Sequence, residues 1–309
     1  MEIKNMKRKG MRDVGELIFY ICLVALPLLQ VAIFYLYVNF NSFLMSFQRY
    51  NGVDGVFVWD WGNANFRWLL DDWKFKVLLD AFWNSLFVWV LTAIFGRLLA
   101  ILFSYYIYKK YVMDKLFKFF LFLPAVLPGI LLVLVFKYFA DKAIPGYLNE
   151  VFGKPNVTPL FQNPDTRLTA LYFFNVWASF GAQILIYTGS MDQIAPEIIE
   201  AGEVDGVKPY QELFLIVIPM ILPTIATFMV ASVATLFTNQ ASLYSFFGAN
   251  VDPEERTLGY YLFILVSGEK YPNKSGYTYA SLLGIICTLI ALPLTLGVRR
   301  LLEGKKEDR

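Results

Sequence analysis

Six stretches of this chain are each long and apolar enough to cross a bilayer as a helix, and that constrains its fold more than any other feature. They run over about residues 17–38, 84–108, 118–138, 168–189, 213–237 and 279–301. A spanning helix needs roughly 20 mostly apolar residues at about 1.5 Å rise each. Buried core helices of a soluble protein would need a polar scaffold around them, and too little of the chain is left for one. The first run is longer than a signal-peptide core and has no small-residue cleavage site behind it, so it is expected to be a retained anchor. The fold class predicted is all-α, a polytopic membrane protein with six transmembrane helices.

Composition excludes several function classes. The chain holds no histidine, which removes Ser-His-Asp and Cys-His catalysis and His-ligated metals. Lys and Arg total 27 against 25 Asp and Glu, so nucleic acid is not expected as a partner. Cys22 and Cys287 lie in separate apolar runs and are expected to be small buried hydrophobes. No catalytic residue and no metal site is predicted.

Basic residues orient the bundle. Lys4, Lys7, Arg8, Lys9 and Arg12 precede the first run; Lys109, Lys110, Lys115 and Lys118 fill the short second loop; Arg299, Arg300, Lys305, Lys306 and Arg309 follow the sixth. Placing these on the inner side puts both termini in the cytoplasm. The outer loops become about 39–83, 139–167 and 238–278. Within the second of these, Ile144, Tyr147, Leu148, Val151 and Phe152 recur at helical spacing. Three readings of that amphipathic helix are open: flat on the membrane lipid, docked on a partner, or packed on its own bundle.

The inner loop at 190–212 departs from the basic pattern. Its core, Pro196-Glu-Ile-Ile-Glu200-Ala201-Gly202-Glu-Val-Asp205-Gly206-Val-Lys-Pro209, predicts a short helix opened by Pro196, a left-handed turn at Gly206 and a second helix opened by Pro209. Ala201 and Gly202 leave the first helix nearly bare for close docking, with Glu200, Glu203 and Asp205 beside them. A solvated acidic loop is the competing reading.

Glu200-Ala201-Gly202, three residues, Gly206, nine residues, Ile216-x-Ile218-Pro219 resembles the EAA loop of binding-protein-dependent ABC importer permeases. Two positions depart: Gly202 stands for the third-position Ala and Ile218 for Leu, each keeping the size class. Asn65-Phe66-Arg67, Asn84-Ser85, Leu123-Pro124 and Leu282 to Arg300 resemble features of the sugar group that includes maltose and glycerol-3-phosphate importer subunits. The resemblance implies a type I importer permease architecture. Its parts would be a leading segment over 1–83, a permease core over 84–302 and a tail over 303–309. It further implies that Glu200, Ala201, Gly202, Asp205 and Gly206 couple to an ATPase.

The implied partners are two ABC ATPase subunits carrying ATP and Mg, a second homologous permease and an extracytoplasmic solute-binding protein. No cofactor is expected on this chain, which lacks a GxxxxGK[ST] phosphate loop. The function implied is inward movement of a solute, a carbohydrate by the resemblance, through alternating access.

For a solute pathway, Asn175, Ser179, Gln183 and Tyr187 recur every four residues on the fourth run. They form either a solute-facing stripe or the hydrogen bonds that join helices. Ser232 and Thr235 are weaker candidates. Arg97 falls near mid-membrane with no acid in any run to pair it, so it is expected to face the cavity, carbonyls or a partner chain. Pro219 and Pro223 are expected to bend or loosen the fifth run. Two alternatives stand beside this reading. One is an importer permease for a non-sugar solute. The other is a membrane-embedded glycan- or lipid-processing enzyme, for which Asp54, Asp60, Asp71 and Asp72 are the acidic group of note and look like solvated loop charges.

Overall fold

The computed structural model describes residues 2–303 except 53, 62, 75, 154–156 and 270–274. Among the described residues, five helices are long and apolar enough to cross a membrane: Val14–Met45, Val77–Tyr108, Pro164–Met191, Pro209–Ala234 and Gly276–Leu302. They correspond to the first, second, fourth, fifth and sixth runs, and are called spans by those ordinals. The tail beyond residue 303 lies outside the described residues.

The third run is not one straight helix. It consists of Asp114–Val126 and Gly129–Phe152, bent by 111°. Leu127 sits in the extended region (φ −76°, ψ 141°) before Pro128. A proline ring clashes with a helical residue ahead of it and drives that residue extended, which ends the first helix there. Asp114–Val126 packs along the fourth span. Phe136, on the second piece, packs among Phe161, Phe174 and Phe246. The amphipathic stretch forms the helix Ile144–Phe152, with Tyr147, Val151 and Phe152 exposed, so it is not the chain's own bundle that covers that part of its stripe.

The segments expected as outer loops are built. The first span runs on to Met45 and the second begins at Val77, leaving a short antiparallel hairpin (Gln48–Asn51 and Val56–Trp59) and a helix over Asn63–Lys74 between them. Asn65 Nδ2 donates to the carbonyls of Ser46 and Gln48, both at 2.8 Å, and its Oδ1 accepts from Thr278. Asp72 Oδ2 accepts the hydroxyls of both Tyr261 and Tyr279 at 2.6 Å, and Trp68 stacks on Tyr279 with ring centres 4.3 Å apart. Asp72 is therefore a structural acceptor, not a solvated loop charge.

The region 238–278 contains an apolar helix, Leu258–Ser267, that carries the fully buried Tyr260 and Leu265. Thr257 caps its start, and Ser85 Oγ accepts from Leu258 N at 2.8 Å. Asn84 Nδ2 holds the adjoining turn through the carbonyls of Glu254 and Arg256. The Asn84-Ser85 pair thus seats this helix in the core. Of the two cysteines, Cys287 is buried, whereas Cys22 lies on the exposed face of the first span.

Candidate functional site

Two places carry the site, one on the second span and one in the loop after the fourth. The upper one begins where the helix widens into a π turn over Leu91–Gly96, directly before Arg97. Such turns recur at functional positions because they re-aim side chains and loosen the backbone ladder. Arg97 is 5% exposed. Its Nη1 donates to Ala93 O at 2.6 Å and Nη2 donates to Phe228 O at 3.0 Å, with Met229 Sδ 3.3 Å from Nη1. Of the three environments open to it, backbone carbonyls and the cavity are both realised. Its Nε is buried without a hydrogen-bond partner among the described residues.

A cavity of about 260 Å³ opens beside this guanidinium, lined by Thr92, Ala93, Arg97, Asn175, Ala178, Ser179, Gln183, Ser232 and Asn239. That is slightly below the lower end of ordinary small-molecule sites, roughly 300 Å³. Asn175 Nδ2 donates within its own helix to Leu171 O and across to Ala241 O at 2.9 Å. Ser179 Oγ donates to Val176 O, and Gln183 Nε2 donates to Ser179 O. Gln183 Oε1 is buried and has no hydrogen-bond partner among the described residues.

The structure therefore brings together Arg97, Asn175, Ser179 and Gln183 around one cavity, and Asn175 also ties the fourth span to the turn at Ala241 after the fifth. Tyr187 is the exception. It is fully buried and packs edge-to-face on Phe228 with ring centres 5.7 Å apart, one turn below the lining. Ser232 joins the lining, while Thr235 bonds back to its own helix at Ala231 O. Thr92 and Asn239 were not anticipated. Thr92, five residues before Arg97 on the same run, was findable as a polar residue in an apolar helix.

The lower place is the loop at 190–212. Its short helix is Pro196–Val204, with proline in the first turn. Gly206 has φ +74°. Its N–H donates to Glu203 O at 3.1 Å, and Val207 N donates to Gly202 O at 3.0 Å. This pair of bonds is the Schellman closure that a left-handed glycine permits. Pro209 then opens the fifth span, which widens into a π turn over Glu212–Val217 before Ile218–Ala234. The irregularity ahead of Pro219 is this wide turn; Pro223 lies within the helix that follows.

Glu197, Ile198, Glu200, Ala201, Val204 and Asp205 are exposed on the short helix, Val204 at 88%. Gly202 is not: it is buried, and a Cβ added there would stand 3.0 Å from Ile216 Cδ1. Its bareness serves the chain's own packing and not an outward docking face. Glu203 is likewise engaged within the chain, by Lys109 Nζ at 3.2 Å. Lys109 Nζ also meets Glu212 Oε2 at 3.1 Å. Burial draws the Lys109 pKa down, but the hydrogen bonds and charges of Glu212 and Glu203 outweigh it, and the net shift is upward.

A polar cavity inside a helical bundle, linked through the fourth span and a short turn to an exposed acidic helix, is the arrangement of a transport subunit, and the comparisons agree. Residues 92–306 match the family described as binding-protein-dependent transport system inner membrane component. The chain belongs to that family. It is accordingly a multi-pass membrane permease and a transport subunit, not an enzyme.

Among curated relatives, it is similar to the multiple sugar-binding transport system permease protein MsmF of Streptococcus mutans, 23% identical over 266 residues, covering 85% of this chain and 88% of the relative. It is also similar to the maltose/maltodextrin transport system permease protein MalF of Klebsiella aerogenes, 27% identical over 173 residues, covering 50% of this chain and 32% of that protein. The match thus spans only about a third of MalF. A crystal structure of a bacterial ABC transporter involved in the import of the acidic polysaccharide alginate shares the fold at a TM-score of 0.77, with 18% identity over 96% of this chain and 99% of that one.

Proposed function

We propose that the chain is the permease subunit through which an ATP-binding-cassette importer moves a carbohydrate inward. The observation that carries this reading is the cavity in which Arg97, Asn175, Ser179, Gln183 and Asn239 converge. Amides, a hydroxyl and a guanidinium are the groups that bind sugar hydroxyls, and the lining contains a cation but no carboxylate. That suits neutral or acidic saccharides and disfavours polyamines. The printed names of the relatives, a multiple-sugar system, a maltose/maltodextrin system and an alginate importer, support the same solute class.

The exposed face of Pro196–Val204, with Glu200, Ala201 and Asp205, is the proposed contact with an ATPase subunit. Gly206 sets the turn that presents it and Gly202 seats it. Two ATPase subunits hold ATP and Mg in this reading, a second permease completes the pathway, and a binding protein delivers the solute outside. A solved alginate transporter in complex with a periplasmic protein carrying an alginate pentasaccharide supports the last of these partners. With the basic loops inside, both termini are cytoplasmic. A nucleotide-driven closure would have to bias the bundle by about 5.5 kcal/mol to invert a 1:99 equilibrium.

The test is uptake of a panel of labelled saccharides by the assembled transporter in proteoliposomes. Asn175→Ala and Gln183→Ala should each lower uptake severalfold while the ATPase subunit still co-purifies. Uptake unchanged in both variants would remove the cavity from the pathway.

A further inference from the structure

Lys109 stands where three elements meet. It follows the last residue of the second span, and its ammonium bridges Glu203 on the short helix and Glu212 at the foot of the fifth span. The two carboxylates differ: the Glu203 side chain is 60% exposed, that of Glu212 only 6%. One turn earlier, the Tyr105 hydroxyl donates to Pro209 O at 3.1 Å. Twelve residues above Lys109 on the same helix, roughly 18 Å away, Arg97 donates to Phe228 O on the fifth span. The second and fifth spans are therefore tied at two levels by two cations. The lower tie also takes in the short helix, and the upper one borders the cavity.

An exposed ion pair contributes little to stability, and the Glu203 pair alone would carry no argument. The Glu212 pair is different, because removing the ammonium leaves a buried carboxylate without a counter-charge. Lys109 thus fastens an exposed helix to two spans through one buried and one accessible acid.

We propose that Lys109 is a positioning residue for transport: it makes the Pro196–Val204 helix and the lower ends of the second and fifth spans one body, so that a displacement imposed on the helix reaches Arg97 and the cavity. This rests on the reading that an ATPase subunit docks on that helix.

The experiment uses the assembled transporter in proteoliposomes and reads three quantities: ATPase co-purification, ATP hydrolysis, and solute taken up per ATP hydrolysed. For Lys109→Met, co-purification and hydrolysis persist while uptake per ATP falls about tenfold, equivalent to about 1.4 kcal/mol of coupling. Lys109→Arg, which keeps a charged fork within reach of both acids, restores the ratio. If Lys109→Met fails to accumulate, the double variant Lys109→Gln with Glu212→Gln removes the stranded charge and should show the same loss of coupling. An unchanged ratio overturns the proposal, as does a parallel fall of uptake and hydrolysis at constant ratio. A wild-type chain that captures no ATPase subunit sinks the docking reading first and this proposal with it.

Discussion

Gly202 and Ile216 touch: a Cβ on the glycine would stand 3.0 Å from the isoleucine Cδ1. The contact joins the two halves of the loop's sequence pattern, the Glu-Ala-Gly triplet and the Ile-x-Ile-Pro that follows at a fixed distance. The spacing of that pattern is the length of chain needed to close a Schellman turn at Gly206, start a new helix at Pro209 and bring its second turn back under the first helix.

Gly202→Ala should therefore be tolerated. The atom it meets is the end of a flexible side chain, and alanine recovers up to about 1 kcal/mol of helix propensity over glycine. Gly202→Leu should lower the melting temperature and prise the short helix off the fifth span, and Ile216→Ala should partly rescue it. Thermal unfolding of the purified single and double variants reads the coupling, which additivity would contradict.

On the other side of the bundle, Asp72 gathers two tyrosine hydroxyls from different helices. Asp72→Ala strands both, and hydrogen bonds to a charged group are worth about 1.5–3 kcal/mol each. A loss of about 3–6 kcal/mol is expected on that footing. Tyr261→Phe placed on top of Asp72→Ala should cost far less than Tyr261→Phe alone, measured by denaturation in detergent.

Much of this architecture was legible from residue patterns. Twenty-residue apolar runs located five spans, and Pro196, Gly206 and Pro209 marked the short helix and its turn. Four-residue spacing on one helix found Asn175, Ser179 and Gln183. What escaped was set by partners remote in sequence. Leu258–Ser267 is ten residues long, too short for a spanning window, and its place in the core rests on Ser85 and Thr257 at its first turn and on partners from distant helices. Asn239 joins the cavity from the connection after the fifth span, where no periodicity points to it. Tyr187 shares the stripe's spacing but is fully buried and lies outside the cavity lining. The bend at Leu127 was available in Leu-Pro-Gly, and the apolar run around it masked the signal.

Lys109 also makes a prediction about pH. Its net pKa is raised above the ordinary lysine value by Glu212 and Glu203. A group held protonated in the folded state stabilises fully below its unfolded pKa, near 10.4, and that contribution disappears as pH climbs through the raised folded value. Wild-type protein should therefore lose stability above about pH 10 more steeply than Lys109→Met. Melting curves of both from pH 8 upward check this, and parallel profiles would show that the ammonium contributes nothing there.

Arg97 offers the sharpest separation of charge from geometry. Its guanidinium reaches Ala93 O and Phe228 O at once, from adjacent nitrogens of a planar fork, while lining the cavity. A lysine at this position keeps the charge but has a single point donor, so it cannot span two carbonyls on different helices in the same way. Arg97→Leu removes both bonds and the cavity's cation; Arg97→Lys removes the span but not the cation. If the second and fifth spans must be tied at this level, both variants lose most uptake, and Arg97→Lys recovers little. If the cavity chiefly needs positive charge for its solute, Arg97→Lys retains uptake with a weakened apparent affinity, whereas Arg97→Leu does not. We expect the first result, because the bond to Phe228 O ties the second span to the fifth and a lysine cannot hold it together with Ala93 O. Uptake by the two variants at saturating and limiting solute, with ATPase co-purification as the check on assembly, decides between them.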